Sequence, residues 1–335
     1  MEINLICSAG KATGIGHLTR MLVIYDRLKS SFKYPINFFI KGDFLDEINH
    51  KNISPIYIPS NESFDKFINN LIKPSELQIF LFDIKDSEIT NNIKQILIKI
   101  QINNGIIISV DSLLSFQDEI DFFFMPSFRK PIGIKKRHQN KFSYGWENFL
   151  INSKYSQPNF SEKSNSLLII TGGSDPTNLG EYYPEIIDTK IKNTTIKWIV
   201  GPFSRQPNLK VSSVNNWELC QSPKSLDNLM HNSKFAICVF GVSFFELLYY
   251  GVATVVFSPY GDKDKNELED LKKYEIAIIA TDEKDAVEKI HLLMNSKALS
   301  KKISDNAKKM FLKKGQDNLL KQVKKIVNEK WQVVI

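Results

Sequence analysis

Three glycine-bearing stretches hold the residues of this chain that could do chemistry. The first is Gly14-Ile15-Gly16-His17-Leu18-Thr19-Arg20. An apolar run at residues 3–7 precedes it and reads as a strand, and Leu18, Met21, Leu22, Tyr25 and Leu28 follow at helical spacing. The glycines therefore sit at a strand-to-helix turn with His17 at or near the helix start. Backbone N–H groups are unpaired there, and the helix dipole favours an anion. A histidine so placed can accept a proton near neutral pH. A dinucleotide site fits less well, because position 19 is Thr where the third glycine would stand. The plainer alternative is a loop histidine beside a packing glycine.

The second stretch, Gly172-Gly173-Ser174-Asp175, also follows an apolar strand-like run. Two glycines and a hydroxyl can present N–H groups to a diphosphate. The same residues also make an ordinary turn. The third is Phe240-Gly241-Val242-Ser243-Phe244-Phe245-Glu246. Ser243 and Glu246 have the spacing of a capping box, which is a sufficient structural reason for both. Alternatively, Glu246 hydrogen-bonds a ribose diol, as acids do in nucleotide sites. Asp83 and Asp111, like His17, each stand just beyond the end of an apolar run, so the three have the placement to converge.

Alternating strands and helices must position these loops. In the first half, strand-like runs at residues 36–40, 56–58, 79–82, 106–110 and 122–125 alternate with helical patterns at 43–50, 63–72 and 87–102. In the second half, strands at 167–170, 196–200, 217–220, 235–239, 253–257 and 276–279 alternate with helices that include 243–250, 265–274 and 285–295. Two helical stretches, 297–312 and 316–330, close the chain. This alternation predicts mostly parallel sheets covered on both faces, with ligands at the carboxyl ends of the strands. Between the halves, residues 152–166 are polar and lose the apolar pattern, which marks a linker.

Length and composition agree. The chain has 335 residues, enough for two domains of ordinary size. Its net charge is +7, with lysines spread along the chain apart from a cluster at residues 130–141 and another in the last forty positions. A positive field can gather an anionic substrate, but the pattern reads chiefly as solvated surface, without a nucleic-acid motif. No apolar run reaches membrane-spanning length, and the opening segment is strand-like rather than a secretory leader, so the expected location is cytoplasmic. Cys7, Cys220 and Cys238 have no metal-ligand spacing and read as reduced core thiols.

The order of the loops is more specific than any one of them. A Gly-x-Gly-His-x-x-Arg turn opens the first half and a Gly-Gly-Ser-Asp loop the second. Next come a Gly-x-Ser-x-x-Glu helix start, residues 247–253, and a further helix start at 262–268 carrying Asn266 and Glu267. This arrangement resembles the GT-B nucleotide-sugar superfamily, and within it the SpsG/PseG family, the UDP-sugar hydrolases of pseudaminic acid biosynthesis. Residues 144–151 also look like that family's segment before its second domain.

The resemblance implies an α/β GT-B fold: two Rossmann-like domains whose parallel sheets face across a cleft. The domains would be residues 1–151 and 167–312, with the linker at 152–166 and a closing helix at 313–335 packing back on the first. It implies a UDP-sugar substrate, inverting attack of water at the anomeric carbon, no metal and no cofactor. His17 would be the general base or position the water, with Lys85 and Asp111 beside it on the sugar side. Gly14, Gly16, Arg20, Gly172, Gly173, Ser174, Gly201, Gly241, Val242, Ser243, Glu246 and Asn266 would serve the nucleotide.

Three departures fall where the sugar would be read. Asp83-Ile84-Lys85 stands for the family's Asp-x-Tyr, Asp111-Ser112 for a paired Asp-Asp, and Phe245 for an Asn before the glutamate. The leading expectation is a nucleotide-sugar hydrolase of surface-glycan biosynthesis. A glycosyltransferase, a non-catalytic nucleotide-sugar binder and an epimerase stand behind it. Nucleic acid and integral membrane association are not expected, and the chain should be a monomer or weak dimer.

Overall fold

The computed structural model describes residues 1–10, 14–42, 54–59, 61–85, 88–90, 92–209, 214–223 and 225–332. The helix expected at 43–50 lies outside them. The chain divides into two compact units, Met1–Leu150 with Lys313–Ile335, and Ile151–Leu312.

The first unit runs β1 (Glu2–Ser8), α1 (Gly16–Lys29), β2 (Ile36–Lys41), β3 (Ile56–Ile58), α2 (Phe64–Leu71), β4 (Gln78–Asp83), α3 (Ile93–Ile102), β5 (Ile106–Val110), β6 (Phe122–Phe124) and β7 (Phe142–Ser143). Among the described residues its seven strands are parallel, in the order β3-β2-β1-β4-β5-β6-β7. The central strands β1, β4 and β5 are mainly apolar and buried along their length because both faces are covered. Successive side chains alternate between two cores: Leu5, Leu81 and Ile108 join a core with Leu18, Met21 and Leu28 of α1. Ile6, Phe80, Phe82 and Ile107 join another with Ile68 of α2 and Leu97 of α3. The apolar run at 122–125 is accordingly core, with Phe123 and Phe124 fully buried. α3 begins at Ile93, several residues later than its pattern suggests; Thr90, just before it, instead bonds the Asp65 carboxylate.

The second unit runs β8 (Ser164–Ile170), α4 (Tyr183–Lys190), β9 (Thr195–Val200), β10 (Asn216–Gln221), α5 (Asp227–Asn232), β11 (Ser233–Val239), α6 (Val242–Tyr249), β12 (Ala253–Phe257), α7 (Lys265–Lys272), β13 (Ile278–Ile279), α8 (Glu283–Asn295) and α9 (Lys297–Met310). Among the described residues its six strands are parallel, in the order β10-β9-β8-β11-β12-β13. Leu167, Ile169, Trp198 and Val255 pack with Tyr183 and Ile187 of α4 and with Val287 and Ile290 of α8.

The polar stretch before β8 is not all linker. Phe160 enters the second core, and β8 starts at Ser164. Lys163 is buried because its ammonium donates to the carbonyls of Met230, His231 and Ser233, at 2.7, 2.8 and 3.1 Å, where α5 ends. The charge of Lys163 thus serves that cap, while most of its neighbours in the stretch are exposed. Cys7 and Cys238 are buried, whereas Cys220 is half-exposed because β10 is an edge strand.

The last helix, α10 (Gly315–Trp331), returns to the first unit, where Leu319, Leu320, Val323 and Val327 complete the core around α1. Gly315 makes the return possible. A Cβ there would stand 2.4 Å from the Asn148 carbonyl oxygen, so no larger residue fits without moving backbone.

Both sheets have the doubly wound strand order, reversing between β1 and β4 in one and between β8 and β11 in the other. Such reversals open a crevice at the carboxyl ends of the flanking strands.

Candidate functional site

In the first unit, β1 and β4 flank the reversal, with Cys7 paired to Asp83 in register. His17 is the second residue of α1, and Asp83 is the last residue of β4. The two meet: His17 Nδ1 lies 2.6 Å from Asp83 Oδ1. Arg20, one turn along α1, donates to the same carboxylate through Nε at 2.9 Å and Nη2 at 2.8 Å. Its Nη1 is 3.0 Å from Asp111 Oδ2. Expected convergence of His17, Asp83 and Asp111 is thus realised around one guanidinium.

The geometry selects a tautomer. Asp83 is a carboxylate with 0 % of its side chain exposed, so the imidazole nitrogen facing it carries the proton. Arg20 Nη2 also lies 3.1 Å from His17 Nδ1, because both groups donate to Asp83 Oδ1. His17 Nε2 is left as an acceptor on a side chain that keeps 21 % of its surface open. A histidine held this way has the geometry of one oriented by a carboxylate for accepting a proton at its other nitrogen.

The carboxylates are tuned in opposite directions. Burial would raise Asp83, but the Arg20 charge and the hydrogen bonds from His17 and Arg20 outweigh it and hold Asp83 below the ordinary aspartate range. Asp111 is raised by burial, with the Asp83 charge adding and Arg20 opposing. Its side chain still exposes 39 % of its surface, so solvent reaches this end of the cluster. Asp111 also holds a left-handed backbone, φ +51°, which is sparsely populated for a non-glycine residue. Arg20 is raised: burial opposes its charge, but Asp83 and Asp111 more than compensate.

The remaining first-unit candidates fall around this cluster. Gly14, at φ +79°, exchanges backbone hydrogen bonds with Gly10, and Gly16 opens α1. Lys85 follows β4, and its N–H donates to Ser8 Oγ at 3.2 Å; Ser8 Oγ in turn donates to the Glu88 carboxylate. Arg20, expected at the nucleotide, is instead committed to Asp83 and Asp111. The sequence places Asp83 among the convergent residues without revealing its hold on His17; an acid closing an apolar strand beside the histidine turn is the available signal.

In the second unit, β8 and β11 flank the reversal. The Gly172–Ser174 loop follows β8 and the Gly241 loop follows β11. Asp175 accepts from Leu179 N at 3.1 Å and Gly180 N at 2.8 Å, closing the first loop on itself. Gly201, just after β9, packs on that loop: a Cβ there would sit 2.4 Å from Gly173 O and 2.6 Å from Gly172 O. Phe203 N donates to Gly173 O at 2.9 Å, fixing the contact. Asn266 lies exposed in the first turn of α7.

The capping box does not form. α6 starts at Val242 with Gly241 as its N-cap and no side-chain cap, so Ser243 is already inside the helix. Space at Gly241 is open, and the start of α6 has no side-chain cap. Glu246 is thereby freed from backbone duty. It lies half-buried on α6, and burial together with the Asp227 charge pushes its carboxyl up to about 8. Asp227 itself accepts from Tyr250 Oη at 2.5 Å and Ser225 Oγ at 2.7 Å. Nothing in the sequence pattern singles out Asp227.

Among the described residues, no three of His, Cys, Asp and Glu are grouped to hold a metal ion, and no helix is long and apolar enough to cross a membrane.

No protein-family model matches the chain. An uncharacterized protein of Methanocaldococcus jannaschii, MJ1062, is 24% identical over 282 residues, covering 76% of this chain and 55% of the relative. The chain thus spans about half the length of that relative. Among solved structures, MurG of Acinetobacter baumannii has a TM-score of 0.64 at 12% identity, over 97% of this chain and 100% of that one. The spinosyn forosaminyltransferase SpnP gives 0.65 at 8% identity, over 97% and 99%. MnaA of S. aureus, solved with UDP, gives 0.61 at 11% identity, over 98% and 97%. With two doubly wound parallel sheets and these likenesses along nearly its whole length, the chain has the GT-B fold.

Proposed function

We propose that the chain is a nucleotide-sugar enzyme of surface-glycan biosynthesis, and specifically a hydrolase that releases UDP and an amino-deoxy sugar. The observation that carries this reading is the His17–Asp83 pair, 2.6 Å apart at the strand reversal of the first unit, with His17 Nε2 left as an acceptor. Water attacks the anomeric carbon, and its proton passes to His17 Nε2. The bond from that carbon to the phosphate oxygen breaks, and its electron pair leaves with UDP. Asp83 stabilises the imidazolium that forms. UDP is held in the second unit, with its diphosphate against the N–H groups of the Gly172–Ser174 loop and the α6 start. Glu246 meets the ribose. The whole-length likeness to a protein solved with UDP supports the nucleotide assignment.

A transferase is the second reading, favoured by the likeness to the forosaminyltransferase. There the same pair would deprotonate an acceptor hydroxyl in place of water. Reaction in 18O-labelled water tests the proposal. Attack of water at carbon puts the label in the sugar; label in the UDP phosphate, or none in either product, refutes it.

A further inference from the structure

The Arg20 guanidinium reaches from α1 across two neighbouring strands of the first unit. Nε and Nη2 grip the two oxygens of Asp83, at 2.9 and 2.8 Å, and Nη1 stands 3.0 Å from Asp111 Oδ2. Asp83 ends β4, Asp111 follows β5, and β4 pairs with β5, so one planar fork spans two adjacent strand ends. Only 13 % of the Arg20 side chain is exposed. The grip fixes the plane of the carboxylate that faces His17 Nδ1 at 2.6 Å. It also settles a charge count. Two carboxylates, one guanidinium and a neutral imidazole leave the four groups with one net negative charge. Asp111 belongs in that count as an anion, because Arg20 Nη1 and its access to solvent offset the burial and the Asp83 charge that raise it.

We propose that Arg20 is a positioning residue that keeps the His17, Asp83 and Asp111 cluster one charge short of neutral, so that the site becomes neutral when His17 accepts the proton of the attacking nucleophile. This rests on the proposal that His17 is the base, and it holds for water and for an acceptor hydroxyl alike. Charge balanced during the chemical step, rather than in the resting site, is what lowers a barrier. Without Arg20, two net negative charges would share a poorly solvated site. The cluster would then take up a proton before substrate arrives, and the base would be occupied near neutral pH. Without Asp111 the resting site would be neutral and the imidazolium would add a net positive charge, so the proton would be held less well. Neighbouring groups leave this contrast intact. Cys7 on β1 pairs in register with Asp83, and burial pushes its thiol far up, so it stays uncharged. Glu88 accepts from Ser8 Oγ, and Lys85 stands two residues beyond Asp83. Both are the same in every variant below, so differences between variants report the four groups.

Two measurements on the full chain test this. The first needs no substrate. NMR follows the ring nitrogens of 15N-labelled histidine over roughly pH 5–10, with His17→Gln to assign the signals. The neutral ring of wild type should carry its proton on Nδ1. In Arg20→Gln the midpoint at which the ring gives up its second proton should rise by about one unit or more, and in Asp111→Asn it should fall by about as much. The second measurement is the pH profile of kcat/KM for UDP-sugar turnover. Its ascending limb should follow the NMR midpoints, up in Arg20→Gln and down in Asp111→Asn. Arg20→Lys keeps the charge but not the fork, so it should bring the limb back toward the wild-type position while kcat stays low. An arginine that only supported the fold would lower the melting temperature without moving midpoint or limb.

A His17 midpoint that is the same in Asp111→Asn as in wild type overturns the proposal, and does so even if Arg20→Gln fails to fold. Midpoints that move in one direction in both variants overturn it as well. Turnover whose pH profile ignores the midpoints overturns this inference while leaving the nucleotide-sugar reaction in place. Midpoints that move in opposite directions, in a chain that turns over no UDP-sugar with or without an acceptor, overturn the reaction itself, and with it this role for Arg20.

Discussion

Replacing Asp83 by Asn separates the chemical role of this buried carboxylate from its structural one. Asp83 is fully buried and takes hydrogens from His17 Nδ1 at 2.6 Å and from Arg20 Nε and Nη2 at 2.9 and 2.8 Å. An amide of the same shape has one acceptor and one donor end. If its oxygen stays with Arg20, its NH2 faces His17 Nδ1, and the ring must turn to the tautomer that protonates Nε2. The general base is then lost, and kcat should fall by about 10²–10⁴-fold. Stability should fall as well. Removing one partner of a buried ion pair costs roughly 3–5 kcal/mol, and the remaining Arg20–Asp111 contact argues for the lower end. At about 3 kcal/mol, and roughly 2–4 °C per kcal/mol for a unit of this size, the melting temperature should drop by about 6–12 °C. The assay is kcat for nucleotide-sugar turnover below the variant's melting range, beside a thermal melt and the UDP dissociation constant. UDP binding should change little. A variant that melts lower but keeps kcat within about threefold of wild type would refute the reasoning, because Asp83 would then be structural only.

Other consequences follow from the same contacts. Asp83 is held below its unfolded value, so its stabilisation is present above about pH 4 and lost as pH falls through its folded value; acid unfolding monitored by circular dichroism should lose that component in Asp83→Asn. Gly201→Ala forces a Cβ to within 2.4 Å of Gly173 O, so it should weaken UDP binding by about tenfold or more; wild-type affinity by calorimetry would contradict the assignment of that loop. Lys163→Met strips the hydrogen-bond donor from three carbonyls where α5 ends, so chemical denaturation should show a loss of about 2–4 kcal/mol; an unchanged midpoint would mean water replaces the ammonium.

Much of the fold is legible in the chain because parallel strands buried on both faces leave plain apolar runs, such as residues 79–82, many of them followed by a helical pattern. The glycine turns mark strand ends, and strand ends in a doubly wound sheet are where ligands bind. What stays hidden depends on contacts between distant positions. Lys163 reads as linker, yet it is buried because its partners lie almost seventy residues away. Ser243 and Glu246 have the spacing of a cap, but starting the helix at Val242 moves Ser243 inside it. Arg20 can be seen as a cation near a glycine turn; only the folded sheet brings Asp83 and Asp111 to it and shows where its charge goes.

The central claim is that His17 activates water on a nucleotide sugar. Its most direct test is a panel of UDP-sugars incubated with the full chain, without acceptor and with a metal chelator present, read as release of UDP and free sugar. Wild type should release both in equal amounts from at least one donor, and His17→Ala should lower kcat by about a hundredfold or more while leaving the UDP dissociation constant nearly unchanged. Release that begins only when a glycan or lipid acceptor is added, or that survives in His17→Ala at the wild-type rate, would contradict it.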